Sequence, residues 1–324
     1  MICRLNGSQI EAAESMNRRV FITGGTGFFG KSMLDYRLRH PEWEWADAEW
    51  VVLSRSPEIF KVAFPRLSNQ SGISFVAGDI RDFSFPAGPF DAIIHAATSA
   101  LTTISDEEMM SVTVEGTRHV VEFAKAVGSP KILFTSSGAV YGPLTSRARE
   151  TDPCNPMTAY GKGKLESERL LLDSGLDVKI ARCFAFVGPY LNRKIHYAIG
   201  NFIQDCLDGV DIEIKGDGTS LRSYLYADDL VEWLFAILDN GRNREIYNVG
   251  SNEIVSIKEL AYRVKELIGK ESSIITRLSK SCKQPEMYVP EIEKSISLIG
   301  RCVRHDLASA IQLTVNSICA NDIL

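Results

Sequence analysis

The apolar positions of this chain fall into short continuous runs separated by stretches of helical period. Val20-Phe21-Ile22 is the first run. It breaks into Gly24-Gly25-Thr26-Gly27-Phe28-Phe29-Gly30, and Phe28, Phe29, Met33, Leu34 and Leu38 then recur at helical spacing until His40-Pro41 closes the segment. Runs at Trp50–Leu53, Ile73–Ala77, Asp91–Ala97, Lys131–Thr135 and Val178–Arg182 predict further strands. Between them, Met109, Val112, Val120, Val121, Phe123 and Ala124 predict a helix from Ser105 to Val127 that Gly128 ends, and a second helix runs from Met157 to Ser174. Strands alternating with helices imply a parallel sheet covered on both faces, with ligands beyond the carboxyl ends of its strands.

The first turn sharpens this to a nucleotide site. Gly25, Gly27 and Gly30 fit G-x-G-x-x-G, and Gly24, Gly27 and Gly30 fit the wider G-x-x-G-x-x-G spacing. A tight turn, close approach of the main chain to a pyrophosphate, and packing of helix on strand each demand glycine there, and the helix N-terminus offers N–H groups to the phosphates. The fold class expected is therefore α/β, a Rossmann-type doubly wound parallel sheet with a smaller C-terminal α/β substrate-binding lobe. The expected division is a leader over 1–18, a dinucleotide-binding domain over 19–182, and a lobe over 183–324 from which segments such as 224–250 return to the first domain. At the end of the second strand, where an acid would bind the adenosine 2′-hydroxyl, the chain has Ser54-Arg55-Ser56. Arg55 suits a 2′-phosphate, so both NAD and NADP are expected cofactors, with a tilt toward NADP. The small Ala96 and Ala97 would let a cofactor lie across the fourth strand's end, and His95 there reads as a structural group rather than a catalyst.

Composition narrows the partners. The 324 residues carry a formal charge of -5, which gives no electrostatic reason to expect nucleic acid or an anionic membrane. No run approaches the ~20 apolar residues of a membrane helix, and Met1 to Arg18 lack the apolar core of a signal peptide. Seven scattered cysteines with no C-x-x-C pair suit reduced thiols and a cytoplasmic protein, and the five histidines show no paired metal-ligand spacing, so no metal is expected.

The catalytic candidates follow the fifth strand. It ends in Thr135-Ser136-Ser137-Gly138-Ala139, and a proline-containing loop leads to Tyr160-Gly161-Lys162-Gly163-Lys164. On a helix Tyr160 and Lys164 project from one face. An ammonium beside a phenol would lower the tyrosine pKa from ~10 toward working pH, giving an acid/base, while Ser137 would hold the oxygen being oxidised or reduced.

With these motifs in order, the chain resembles the extended short-chain dehydrogenase/reductases, the nucleotide-sugar epimerase/dehydratase family, over about residues 19 to 320. The resemblance implies that Ser137, Tyr160 and Lys164 are catalytic, with Lys164 also on the nicotinamide ribose. It implies that Asp79 and Ile80 hold the adenine, and that Gly24, Gly27, Phe28, Phe29, Gly30, Ala96, Ala97, Tyr160 and Phe184 complete the cofactor site. Gly216-Asp217-Gly218-Thr219-Ser220-Leu221-Arg222 resembles the family's G-D-G-x-x-x-R segment, so Arg222 is expected on a nucleotide diphosphate, with Ser99, Ser137 and Asn201, on a helix from Ile195 to Leu207, as further substrate contacts. The chain departs from the family at Ala185 and Thr113, where Asn is usual. It departs also at Gly138-Ala139, where dehydratases carry Asp-Glu as a second acid and base; this disfavours 4,6-dehydration and weakens a decarboxylase reading. The expected activity is a nucleotide-diphosphate-sugar epimerase working through transient hydride transfer and a keto-sugar, at C4. An NADPH-dependent reductase of a 4-keto-6-deoxy nucleotide sugar is the alternative, a non-catalytic dinucleotide sensor a remote third. By resemblance a homodimer is expected, built on the helices 105–127 and 157–174.

Overall fold

A computed structural model of the chain describes residues 18–98, 104–193, 197–269, 272–277 and 285–320. A seven-stranded sheet forms its centre. Its strands in chain order are β1 (Arg19–Thr23), β2 (Glu49–Ser54), β3 (Ile73–Ala77), β4 (Ala92–His95), β5 (Lys131–Ser137), β6 (Val178–Cys183) and β7 (Glu245–Val249). They lie side by side in the order β7-β6-β5-β4-β1-β2-β3, every pair parallel. The order reverses between β1 and β4, which opens a crevice at their carboxyl ends.

Alternation along each strand sends successive side chains to opposite layers. Val20, Ile22, Trp50, Val52, Ala92, Ile94 and Leu133 pack with Met33 and Leu34 of helix Phe28–Arg39 and with Leu230, Trp233 and Leu234 of helix Ala227–Asn240. Phe21, Val51, Leu53, Ile93, Ile132 and Phe134 pack instead with Val120, Phe123 and Ala124 of the helical stretch 106–126 and with Leu171 of helix Ala159–Leu172. A further apolar cluster, containing no residue of the central sheet, joins helices Ala198–Asp208, Ile257–Ile268 and Leu307–Cys319. There strand Leu221–Arg222 pairs antiparallel with Val255–Ser256 and parallel with Met287–Tyr288.

Several boundaries differ from the sequence reading for identifiable reasons. Strand β5 continues through Ser136 and Ser137, because β6 pairs with it as far as Ser137↔Cys183. The stretch 106–126 is interrupted by a π-helical turn at Ser111–Glu115, where Thr113 Oγ1 turns back to the Met109 carbonyl at 2.7 Å. Within the expected helix Ile195–Leu207, residues 195 and 196 lie outside the described residues, and the helix runs over Ala198–Asp208. Ser256 caps helix Ile257–Ile268, with Glu259 closing a reciprocal capping box.

His95 shows how the layers are tied. Thr23 Oγ1 accepts the N–H groups of Ala96 and Ala97 at 3.2 and 3.1 Å, so its own proton goes to His95 Nδ1, 2.8 Å away. His95 Nε2 therefore carries the ring proton and donates to Thr117 Oγ1 at 2.9 Å, and Thr117 donates to the Thr113 carbonyl. Burial, aided by the Lys164 charge, pushes the His95 pKa down from 6.5 to about 3. Below pH 6.5 the unfolded chain binds a proton that the folded chain refuses, so stability is whole above that pH and drains away toward pH 3. The loss attributable to this group is roughly 4 kcal/mol. Urea unfolding across this range is expected to show a shallower pH slope in His95→Gln than in the native protein, whereas parallel slopes would remove His95 from the account.

Candidate active site

The glycine turn follows β1 directly and is held by contacts that leave no room for side chains. Gly24 adopts φ +73°, and a Cβ there would stand 2.5 Å from the Ala96 carbonyl oxygen; one on Gly30 would stand 2.1 Å from Gly25 Cα. Gly27 differs, since its Cβ would meet only the Gly24 oxygen, at 3.3 Å. Helix Phe28–Arg39 begins there with Gly27 as N-cap, no side-chain cap and no acid in its first turn. An uncapped helix N-terminus behind an open glycine face fits a dinucleotide pyrophosphate. Phe28 and Phe29 pack beside it on Phe186, at ring distances of 6.4 and 5.2 Å.

At the adenosine end, Arg55 is exposed beyond β2 and close enough to Asp79 to lower its pKa, though Arg81 does more. Arg81 Nε lies 2.8 Å from Asp79 Oδ1 and the same guanidinium reaches Glu108, a pairing that the sequence reading missed. Ile80 is buried against Gly116. Ser99 lies outside the described residues. Its neighbour Thr98 has a buried hydroxyl with no partner among the described residues.

Ser137, at the end of β5, is 5% exposed, and its Oγ accepts from Ala139 N at 3.1 Å as the chain turns into a short 3-10 helix, Gly138–Tyr141. Thr158 caps helix Ala159–Leu172 through Gly161 N, which directs Tyr160 and Lys164 toward β5. Gly161 and Gly163 allow that approach. A Cβ on Gly161 would lie 2.8 Å from the Ala139 oxygen, and one on Gly163 3.2 Å from Thr113 Cβ. Tyr160 is near enough to Ser137 for that hydroxyl to favour its ionised form. Lys164 is 1% exposed, donates to the Thr135 carbonyl at 2.8 Å, and holds its Nζ 5.9 Å from the Tyr160 ring centre.

This arrangement corrects the expected electrostatics. Burial raises the Tyr160 pKa, and the neighbouring Ser137 hydroxyl, rather than the lysine, works against that rise. Lys164 spends its nearest contact on the strand carbonyl, and burial brings its own pKa down to about 8. The sequence reading also missed Tyr288. Its hydroxyl lies 3.4 Å from Ser137 Oγ, its ring 4.9 Å from that of Phe184, and Arg222 Cζ 5.7 Å above its centre. The signal was long-range pairing of Met287–Tyr288 beside Arg222, which local pattern does not reveal.

Arg222 donates to the Leu221 carbonyl at 2.9 Å and pairs with Glu286 at 3.4 Å. With Asn201, Phe202, Lys215 and Gly218 it lines a cleft of about 260 Å³. The Asn201 carbonyl oxygen is buried with no partner among the described residues. Phe184 is buried between Tyr141 and Tyr288. Among the described residues no cluster of His, Cys, Asp and Glu could hold a metal, and no helix is long and apolar enough to cross a membrane.

A glycine turn at the head of a doubly wound sheet, with serine, tyrosine and lysine gathered at the strand ends, defines a short-chain dehydrogenase/reductase of the extended type. The chain belongs to the NAD dependent epimerase/dehydratase family, whose sequence model matches residues 20–250. It is 28% identical over 298 residues to UDP-glucuronic acid decarboxylase 6 of Arabidopsis thaliana, covering 88% of this chain and 84% of that protein. It is 27% identical over 274 residues to dTDP-D-glucose 4,6-dehydratase of Bos taurus, covering 80% and 76%. Among solved structures, the UDP-glucuronic acid 4-epimerase of Bacillus cereus, in complex with UDP-glucuronic acid and NAD, superposes with a TM-score of 0.79 at 21% identity over 94% of this chain and 99% of that one.

The two glycines separate fold from site. Gly30→Ala is expected to destabilise by more than about 3 kcal/mol, because backbone atoms must move. Gly27→Ala should stay within about 1 kcal/mol of the native protein yet weaken dinucleotide binding more than about tenfold. Thermal unfolding and calorimetric titration with NAD and NADP check both; equal binding by Gly27→Ala would move the pyrophosphate elsewhere.

Proposed function

We propose that the protein is a nucleotide-diphosphate-sugar epimerase acting at C4 through a keto-sugar. The observation that carries this reading is the environment of Ser137: Tyr160 and Lys164 beside it, and no carboxylate at the two positions that follow. A side chain on Gly138 would lie 2.7 Å from the Phe184 ring, so this chain has filled with an aromatic the space that a second acid would need. Dehydration and decarboxylation, the reactions named for its relatives in Bos taurus and Arabidopsis thaliana, are therefore less well served here than a reversible oxidation of one hydroxyl.

A bound nicotinamide dinucleotide would supply the hydride acceptor and donor. Gly24, Gly27, Gly30 and the helix N-terminus would hold its pyrophosphate, Asp79 and Ile80 its adenine, and Ala96, Ala97 and Phe184 its flanks. Tyr160 would take the sugar hydroxyl proton and later return it, with Ser137 hydrogen-bonded to the same oxygen and Lys164 on the nicotinamide ribose. Arg222 would hold the nucleotide diphosphate, and Asn201 in the same cleft would contact another part of the substrate; a solved relative binds UDP-glucuronic acid. Arg55 favours the second reading, a reductase that consumes NADPH, because an exposed arginine at the end of β2 suits a 2′-phosphate.

One incubation series tests the proposal: the purified protein, its extracted cofactor identified, against UDP-, dTDP-, GDP- and CDP-sugars. Conversion between C4 epimers without net cofactor loss is expected, and stoichiometric NADPH consumption would replace epimerase by reductase. Tyr160→Phe should lower turnover by about 10²–10⁴-fold with unchanged unfolding, and full activity in that variant would end the acid/base assignment.

The same reading makes the protein a homodimer through the helices 106–126 and 159–172. Met110, Val112, Leu165 and Leu170 are only partly buried on those helices, and Met157 beside them is 66% exposed. Sedimentation should give twice the chain mass, and Leu165→Lys should shift it toward the monomer.

A further inference from the structure

The Ser137 hydroxyl has one proton to give and two lone pairs to receive with. One lone pair takes the Ala139 N–H at 3.1 Å, where the chain turns into the 3-10 helix Gly138–Tyr141. The Tyr288 hydroxyl lies 3.4 Å from the same Oγ, and among the described residues it has no other hydrogen-bond partner. Burial pushes the Tyr288 pKa up to about 12, so this phenol carries its proton at neutral pH. Were Ser137 to donate to Tyr288, the phenolic proton would have no acceptor among the described residues. The favoured direction is therefore from Tyr288 to Ser137. Both lone pairs of the serine are then occupied, and its own proton is left for an acceptor that neither contact supplies.

Distant parts of the chain converge to hold Tyr288 there. Its ring lies 4.9 Å from that of Phe184, which in turn lies against Gly138 beside the serine. Met287 N donates to the Leu144 carbonyl at 2.7 Å and Ala148 N to the Val289 carbonyl at 2.9 Å, so the segment bearing Tyr288 is laced to the loop that leaves the 3-10 helix. In the strand register Tyr288 stands opposite Arg222. Phenylalanine would fill the same space without placing a polar group among these rings. At 3.4 Å the contact is long for two hydroxyls, so it sets the direction of the serine proton more than it stabilises the fold.

Resting on the reading of Ser137 and Tyr160 as partners of one sugar oxygen, we propose that Tyr288 is a positioning residue that fixes Ser137 as a hydrogen-bond donor to that oxygen. With its direction set in this way, Ser137 does not compete with Tyr160 for the hydroxyl proton. The sugar hydroxyl gives its proton to Tyr160 and accepts from Ser137. The keto oxygen, which has only lone pairs, accepts from Ser137 and from the Tyr160 hydroxyl that now holds the proton. Ser137 keeps its own proton in both states. One arrangement thus serves oxidation and the return reduction, and the serine hydroxyl need not rotate between them.

The test is a double-mutant cycle on turnover of the nucleotide sugar that the incubation series identifies. Tyr288→Phe keeps the ring against Phe184 and removes only the hydroxyl. It should lower kcat about tenfold, keep KM within about twofold and leave thermal unfolding unchanged. Ser137→Ala should lower kcat by about 10²-fold, and adding Tyr288→Phe to it should cost less than about twofold more, because the hydroxyl through which Tyr288 acts is gone. In Ser137→Thr, which restores a hydroxyl, the cost of Tyr288→Phe should return. Native kcat in Tyr288→Phe, or an equal cost of that change with and without the serine hydroxyl, would overturn the positioning role while leaving Ser137 and Tyr160 on the sugar oxygen. Full activity in Ser137→Ala, or no turnover of any nucleotide sugar by the native protein, would overturn that reading of the site, and the role of Tyr288 with it.

Discussion

The buried ion pair between Arg182 on β6 and Glu168 on helix Ala159–Leu172 fixes the geometry on which the site depends. Both side chains are nearly inaccessible, at 4% and 2%, and Glu168 accepts from Arg182 Nε at 3.0 Å, from Arg182 Nη2 at 2.7 Å, and from Ser136 Oγ. Such a pair adds little net stability over well-packed apolar groups, because desolvation offsets its attraction, but losing one partner strands a charge at a cost of about 3–5 kcal/mol. Its contribution is therefore register. Glu168 stands one helical turn beyond Lys164 and two beyond Tyr160, and Ser136 immediately precedes Ser137. A contact that locks Glu168 to β5 and β6 locks the helix rotation at which both catalytic candidates face the strand end. The Arg182 guanidinium continues over the Tyr141 ring at 4.7 Å, and the Tyr141 hydroxyl reaches Asn248 at 2.8 Å, so the same contact runs from β6 into β7.

That pair also modulates charge where the chemistry would occur. Glu168 supports the protonated form of Lys164 against the burial that disfavours it. A fully apolar neighbour in its place would leave the lysine easier to neutralise. The helix thus carries its own counter-charge four residues beyond the group that needs it, an i, i+4 relation that brings the two side chains to one face.

Much of this was legible in the sequence because it is local. The strand runs, the glycine turn, the helical period of Met33-Leu34 and of Val120-Phe123-Ala124, and the Tyr160/Lys164 spacing all express short-range periodicity, and the structure forms them where that periodicity placed them. What could not be read depends on contacts between distant segments. The extension of β5 to Ser137 follows from pairing with β6, the Arg81 grip on Asp79 from packing beside helix 106–126, and the arrival of Tyr288 at Ser137 from a pairing 151 residues away in sequence. The expected effect of Lys164 on Tyr160 failed for a related reason. Spacing puts two groups on one face but says nothing of how deeply both are buried, nor that a strand carbonyl would claim the ammonium first.

Gly138 and Phe184 tie the catalytic question to packing. Glycine is needed at position 138, directly after Ser137, because the Phe184 ring lies where any Cβ would go, at 2.7 Å. Phe184 in turn stacks near Tyr141 and Tyr288, so the aromatic group that displaces a carboxylate is the one that seats the second phenol. An apolar wall beside Ser137 raises the pKa of each nearby phenol by desolvation, Tyr288 to about 12, and so makes any gain in phenolate character depend on specific donors and cations. Restoring an acid at 138 alone would push Phe184 aside before it could contribute a proton. The absence of a side chain at Gly138 and the crowding of aromatic rings around Phe184 are therefore one packing arrangement, and under the proposed function it would leave proton handling to Ser137 and Tyr160.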